Sequence, residues 1–303
     1  MRVVALLAIR NEALFLERCL NHLYHQGIET CIIDNDSTDS SLAIAQSYIG
    51  RGVSRIVNLP YEGCFDLPRI LKLKEMLTRE IDADWFIHYD ADEIREAPKP
   101  YNTLLEGIEE ADKQGFNAIN FDEFVFMPTS NTEAYENKDY VAQMQYYYFF
   151  EPYPLRRLNA WKKMPEPVDI VNSAGHCVSF PGLNLFPTSF IMRHYICLSR
   201  EHAIAKYGTR VFSLNAVKER GWSKDRVNFT ADNLYFPEKS RLKQVTISGD
   251  WDKSDPWVRH KSLFGDKITA SKQISNQTVY ETQACRSRSS GNWARRLLSS
   301  WFK

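Results

Sequence analysis

Residues 3–40, VVALLAIRNEALFLERCLNHLYHQGIETCIIDNDSTDS, decide the fold. Val3 to Ile9 is an unbroken aliphatic run of seven residues, as expected of a strand buried on both faces. Glu12 to Gln26 follows with Leu16, Cys19, Leu20 and Leu23 at helical spacing, and Gly27 supplies the stop. Thr30 to Asp34 then reads as a second strand.

Outward from this stretch the rhythm continues. Ser37 or Thr38 can cap a helix through Leu42, Ala45 and Ile49, which Gly50 and Gly52 end. Val53 to Leu59 is a third strand, Leu67 to Arg79 a third helix and Asp84 to Tyr89 a fourth strand. Strands alternating with helices predict the α/β class, an open and mostly parallel sheet flanked by helices, with ligands at the carboxyl ends of the strands. Beyond Pro98 and Pro100 a helix is predicted over Thr103 to Gln114. In the strand predicted over Phe116 to Met127, Ala118, Asn120, Asp122 and Phe124 alternate with Ile119, Phe121, Glu123 and Val125, which implies one apolar and one polar face. Residues 128–190, rich in Pro, Tyr, Trp and Phe, read as loops and short strands, and Glu201 to Tyr207 opens a further helix. Ser, Gln, Thr and Arg dominate from Lys267, so the expected organisation is a folded domain over 1–266 and a polar, basic tail over 267–303. Within the domain, residues 1–100 form a nucleotide half and 101–266 an acceptor half.

The 303 residues suffice to bury about 75% of the unfolded chain's surface. Thirty-eight basic residues balance 38 acidic ones, which argues against a nucleic-acid partner. No apolar run approaches the roughly 20 residues of a membrane span. Arg10, Asn11 and Glu12 after the first strand do not read as a signal-peptide cleavage site. The six scattered cysteines, with no CxxC pair, read as reduced, and the expected location is cytoplasmic. The zero net charge hides an uneven end: residues 285–303 hold five basic residues and no acid, with Trp293, Leu297 and Trp301 at i, i+4, i+8. Such a helix suits peripheral contact with an anionic membrane on its inner face; a disordered tail, or one docked on its own domain, fits as well.

Chemistry concentrates at the strand ends. Asp90-Ala91-Asp92-Glu93 follows Trp85-Phe86-Ile87-His88-Tyr89, and two carboxylates one residue apart there can share a hard divalent cation, Mn²⁺ or Mg²⁺, bridging a diphosphate. A solvated acidic turn is the plain reading of the same residues. Asp34-Asn35-Asp36-Ser37-Thr38-Asp39 offers Asp34 and Asp36 to a nucleobase edge or ribose hydroxyls, or caps the next helix. There is no GxGxxG, GxxxxGK[ST] or GxSxG, which weakens dinucleotide oxidoreductase, P-loop and hydrolase readings.

Together, Ala8-Ile9-Arg10-Asn11-Glu12-Ala13, Asp34 to Asp39, Asp90 to Glu93, His194-Tyr195 and the stretch Ser199 to Lys206 resemble the family 2 glycosyltransferases of GT-A fold, in the bacterial branch with a DADE-type metal motif. The resemblance covers about residues 1–210. It implies a nucleotide-sugar donor, UDP-linked, a divalent metal on the diphosphate, and inverting transfer to a hydroxyl of a glycan or lipid-linked acceptor in polysaccharide synthesis. It places Ala8, Arg10 and Glu12 at the nucleotide edge, Asp34 and Asp36 near base and ribose, and Asp90 and Asp92 at the metal. Asn35 between Asp34 and Asp36, where many relatives have adjacent acids, and Ile94 in place of an aromatic are departures. A third metal ligand is expected at His194, with His176 second. Arg69 and the group Arg156, Arg157, Lys162 and Lys163 suit a phosphate or the acceptor, although most of them read as solvated surface. The family pattern puts the proton acceptor after the strand that follows the metal motif, where Asp122, Glu123, Glu166 and Asp169 are available and Glu123 and Asp169 rank first. Tyr146 to Phe150 and Trp161 offer faces for sugar stacking, or simply pack the core. A metal-dependent nucleotidyl or phosphoryl transferase at the same acids, or a nucleotide-sugar-binding protein without catalysis, are the alternatives.

Overall fold

A computed structural model describes residues 1–260 apart from 214–216, 219, 221–225, 227–228 and 247–249. The tail expected over 267–303, with its membrane contact, lies outside the described residues. In chain order the elements are β1 (Val3–Ile9), α1 (Ala13–His25), β2 (Glu29–Asp34), α2 (Ser41–Ser47), β3 (Val53–Asn58), α3 (Leu67–Glu80), β4 (Trp85–Tyr89), β5 (Glu93–Glu96), α4 (Leu104–Lys113), β6 (Ala118–Phe126), α5 (Tyr140–Gln143), β7 (Tyr146–Phe150), β8 (Leu158–Lys162), β9 (Phe190–Tyr195), α6 (Arg200–Gly208) and β10 (Lys243–Gln244).

The strands form one sheet in the order β10-β7-β6-β8-β4-β1-β2-β3, with β9 on β6 and β5 on β9. β1 pairs in parallel with β2 and β4, and β2 with β3, as the alternation of strand and helix requires. β8 runs antiparallel to both β4 and β6, so β6 shares the direction of β4, and β9 is parallel to β6. β10, antiparallel to β7 as β7 is to β6, shares that direction too, so seven strands point one way.

β1 explains how one aliphatic run builds two cores. Val3, Ala5, Leu7 and Ile9 face a cluster with Phe15, Leu16 and Leu20 of α1 and Leu104 and Ile108 of α4. Val4 and Leu6 face a second cluster with Leu71, Leu73 and Leu77 of α3. Alternate side chains of a strand leave on opposite faces, and helices cover both. Gly27, at φ +75°, turns the chain from α1 into β2, a conformation that costs glycine nothing.

The expected polar face of β6 is corrected. Asn120 and Glu123 are buried along with the apolar residues, because β7, β8 and β9 pair around this strand and the sheet is covered on both sides. Residues Tyr147 to Phe150 and Trp161 are likewise buried core. Trp161 tilts against Phe86, and Tyr148 stacks on Trp257 at 4.2 Å, so these rings pack the protein and present no open face to a sugar.

Candidate functional site

The loops that leave the carboxyl ends of β1, β2 and β4 meet along one edge of the sheet. Arg10, just past β1, donates through Nη1 to the carbonyl oxygens of Asn35 and Asp36, each at 2.5 Å, and its guanidinium lies 3.4 Å from the Tyr61 ring centroid. Asn11 and Asp36 have φ of +56° and +51°, the left-handed region that short polar side chains tolerate. Asn11 Oδ1 accepts from the Thr38 backbone at 2.7 Å, and Ser37 Oγ accepts from the Asn11 backbone at 3.2 Å. Ser37 and Thr38 thus join two loops and do not cap α2, which starts after Ser40 with Asp39 holding the Ser41 N–H at 2.9 Å.

The residues expected at base and ribose carry this loop. Buried Asp34 accepts the Ser37 N–H at 3.3 Å, and Asp36 Oδ2 accepts the Tyr61 N–H at 2.6 Å. A carboxylate has about four acceptor directions, so both keep capacity toward a ligand. Ala8 sits half-buried beneath them. Arg69 is drawn to the rim of the same loops, donating to the Pro60 carbonyl at 2.8 Å and lying 3.4 Å from Glu62.

Asp90 to Glu93 links β4 to β5. The Asp90 N–H lies 3.3 Å from Glu93 Oε2, and buried Glu93 pairs with buried Arg95 at 2.6 Å. Asp92 turns inward: Lys206 Nζ of α6 donates to its Oδ2 at 2.7 Å, and His194 Nε2 of β9 lies 3.5 Å from the same oxygen. Burial raises the Asp92 carboxyl, but Lys206 and His194 outweigh it and hold the group well below the usual carboxylate range. Lys206 also reaches Glu12 at 3.8 Å, and Arg210 lies 3.9 Å from Glu12. Burial dominates at Glu12 and moves its carboxyl up.

His194 bridges two acids, its Nδ1 bonding Glu123 Oε1 at 2.7 Å. Burial would lower it, yet Asp92 and Glu123 prevail and push it up to about 9. His194 thus ties Asp92 to Glu123, and its expected role as third metal ligand rests on Nε2, which faces the Asp92 oxygen that Lys206 also holds. His176 is corrected, since Arg157 Nη1 lies 3.0 Å from its Nδ1 and Arg156 Nη2 3.2 Å from its Nε2, and two guanidinium groups repel a metal ion. Among the described residues no group of three His, Cys, Asp or Glu side chains clusters to hold a metal. What fits a divalent ion is smaller: the Asp90 carboxylate and the second oxygen of Asp92, both hard donors, with the remaining ligands left to diphosphate and water.

Glu123 is also corrected. Its carboxylate is 1% exposed and bound by Arg157 at 2.7 and 2.9 Å in a two-pronged contact, besides His194. Burial raises it, but Arg157 and His194 hold it well below the usual range, so it accepts a proton poorly. It seats Arg157 and orients His194. The other expected base, Asp169, accepts from the Asn172 backbone at 2.9 Å and from the Asn172 side chain, in a turn held to α3 by Glu75.

The position of Arg156 and Arg157 revises their reading as solvated surface, because their side chains are only 14% and 7% exposed. One further group, Lys74, carried no sequence signal. Lys74 of α3, fully buried, donates to the Tyr89 carbonyl at 3.2 Å and meets His88 Nδ1 at 3.1 Å, beneath the acid motif. A lysine among Leu71, Leu73 and Leu77 reads from the sequence as the solvated face of the helix.

Residues 5–62 match the glycosyl transferase family 2 model, and the β1 and β2 loops lie within the matched stretch. No curated protein matches the chain. Among solved structures the chain is similar to S. aureus TarS 1–349 in complex with UDP, at TM-score 0.40 and 12% identity, covering 65% of this chain and 61% of that one. It is also similar to glucosyl-3-phosphoglycerate synthase from Mycobacterium tuberculosis in complex with Mn²⁺, UDP and phosphoglyceric acid, at TM-score 0.28 and 17% identity, covering 41% and 43%. The chain spans 37% of the longer TarS structure. Among the described residues no helix is long and apolar enough to cross a membrane.

Proposed function

We propose that this chain is a glycosyltransferase that takes a sugar from a nucleotide-sugar donor, UDP-linked, and places it with inversion on an acceptor hydroxyl of a glycan or lipid-linked molecule. The observation that carries the reading is the placement of Asp90 and Asp92 at the end of β4, beside β1 and the loops of the matched stretch. Ligands of open α/β sheets lie at that edge, where the chain order of the strands reverses.

In this reading the base and ribose sit on the loop fixed by Arg10, Asp34, Asp36 and Tyr61, and the diphosphate extends toward Asp90. Asp90 and Asp92 would hold Mn²⁺ or Mg²⁺, which when bound neutralises the charge that grows on the departing diphosphate. Lys206 and Arg210 supply fixed positive charge at the same place. Glu123, through His194, keeps Asp92 oriented. Asp169 is the proposed proton acceptor. The domain is proposed to run over 1–266, with a membrane-facing tail at 285–303.

The test is a panel of nucleotide sugars with Mn²⁺ or Mg²⁺, scored for transfer and slow hydrolysis with wild type and Asp92→Asn. Turnover of a UDP-sugar that Asp92→Asn loses supports the reading. Turnover unaffected by Asp92→Asn, or nucleotidyl transfer in its place, removes it. Binding of UDP without turnover of any donor identifies a binding protein.

A further inference from the structure

The β8 side of the site holds an arrangement that the donor does not explain. β8 lies next to β4 on the side away from β1, so residues at its start flank Asp90 opposite the nucleotide loops. There Arg156 and Arg157 contact the two nitrogens of one imidazole, His176. Burial first, and then the two arginines, push His176 well below its ordinary value, so the ring is neutral. A neutral imidazole has one lone pair and one N–H. Two guanidinium donors at its two nitrogens therefore set one donor against another.

Arg157 has an acid of its own, Glu123. Arg156 only shares it: its buried Nε has no hydrogen-bond partner among the described residues and stands 3.6 Å from Glu123 Oε2, an ion pair with an oxygen already held by Arg157. Among the described residues the Tyr153 hydroxyl accepts from Arg156 Nη1 at 3.3 Å, and His176 Nε2, 3.2 Å from Nη2, accepts only in the tautomer that turns a protonated Nδ1 against Arg157. The guanidinium lies 5.0 Å from the Phe150 ring, which stacks on His260 at 3.8 Å, and Arg226 adds positive charge toward both His176 and His260. The site thus presents the planar fork of an arginine, one edge of it unsatisfied, among cations and with its single nearby carboxylate committed. Such a fork matches the paired oxygens of a phosphate or carboxylate. An anion taking Arg156 Nε and Nη2 would satisfy both and release His176 to accept from Arg157 alone.

We propose that Arg156, flanked by His176, is an anion subsite for the acceptor, so that the hydroxyl receiving the sugar belongs to a molecule bearing a phosphate or carboxylate group. The inference rests on the transferase reading for the word acceptor, and on the geometry above for the anion.

The experiment measures binding of glycerol 3-phosphate, glycerate and uncharged glycerol to the full chain by calorimetry, with and without saturating UDP and Mg²⁺. The expected result is saturable binding of at least one charged probe and none of glycerol, undiminished by UDP. Which probe binds separates phosphate from carboxylate. Arg156→Gln weakens that binding by about tenfold or more, the usual loss for a hydrogen bond to a charged group. Arg156→Lys, which keeps the charge without the fork, recovers part of it, and the melting curve of each ligand-free variant reports that it is folded. Binding of neither charged probe, displacement by UDP, or full affinity in Arg156→Gln overturns the proposal. A charged probe that binds while UDP does not leaves the anion site standing and removes the donor reading.

Discussion

Replacing Glu123 by Gln removes the one negative charge that Arg157 and His194 share while keeping the shape of the side chain. Glu123 is 1% exposed, Arg157 7% and His194 10%, so water does not compensate the loss. Removing one partner of a buried pair costs about 3–5 kcal/mol, because the remaining charge stays buried and unpaired. At about 2–4 °C per kcal/mol for a domain of this size, the melting temperature falls by roughly 6 to 20 °C. The pH dependence carries the same signature. The folded-state pKa of Glu123 is depressed, so its contribution is complete above the unfolded value of 4.5 and is lost as pH falls through the folded value. Glu123→Gln should therefore flatten the decline in stability below pH 4.5. Scanning calorimetry from pH 3 to 7 measures both. A melting temperature within about 2 °C of wild type, together with abolished transfer, would refute this reasoning and return Glu123 to the role of proton acceptor.

Gly107→Ala should destabilise by about 1–3 kcal/mol despite better helix propensity, since the new Cβ would stand 2.7 Å from Phe190 and 2.9 Å from Ala97; a denaturant midpoint at or above wild type would contradict this. Burial lowers Lys74 to about 8 from 10.5, so the unfolded chain binds more protons between those values and this group makes stability rise with pH there. The difference in stability between wild type and Lys74→Met should accordingly change in favour of wild type from pH 8 to 10, and a constant difference would show that Lys74 does not titrate as described. Asp169→Asn should lower transfer by about a hundredfold or more with UDP affinity retained, measured by product formation and calorimetry; transfer at the wild-type rate removes Asp169 as base. Lys206→Gln releases Asp92 and takes positive charge from the diphosphate site, so UDP binding should weaken in both the presence and absence of Mg²⁺, and unchanged affinity would exclude Lys206 from the donor site.

The sequence by itself determined the first half of the protein. The run Val3 to Ile9, the helical spacing of Leu16, Cys19, Leu20 and Leu23, and the matching segments to Tyr89 state which residues face the core, because periodicity is a local property of the chain. It also placed Asp34, Asp36, Asp90 and Asp92 at strand ends, where the topology of a parallel sheet gathers polar loops. Only the tertiary structure decided what those groups touch. Whether Glu123 is a base or an anchor depends on Arg157, 34 residues away, and on His194, 71 residues away. The alternation along β6 suggested a solvated face, but three neighbouring strands buried it. Arg156, Arg157 and Lys74 looked like ordinary surface cations, and the fold placed them inside. The charge state and reach of a buried group are set by burial and by partners distant along the chain, and neither is a property of its local sequence.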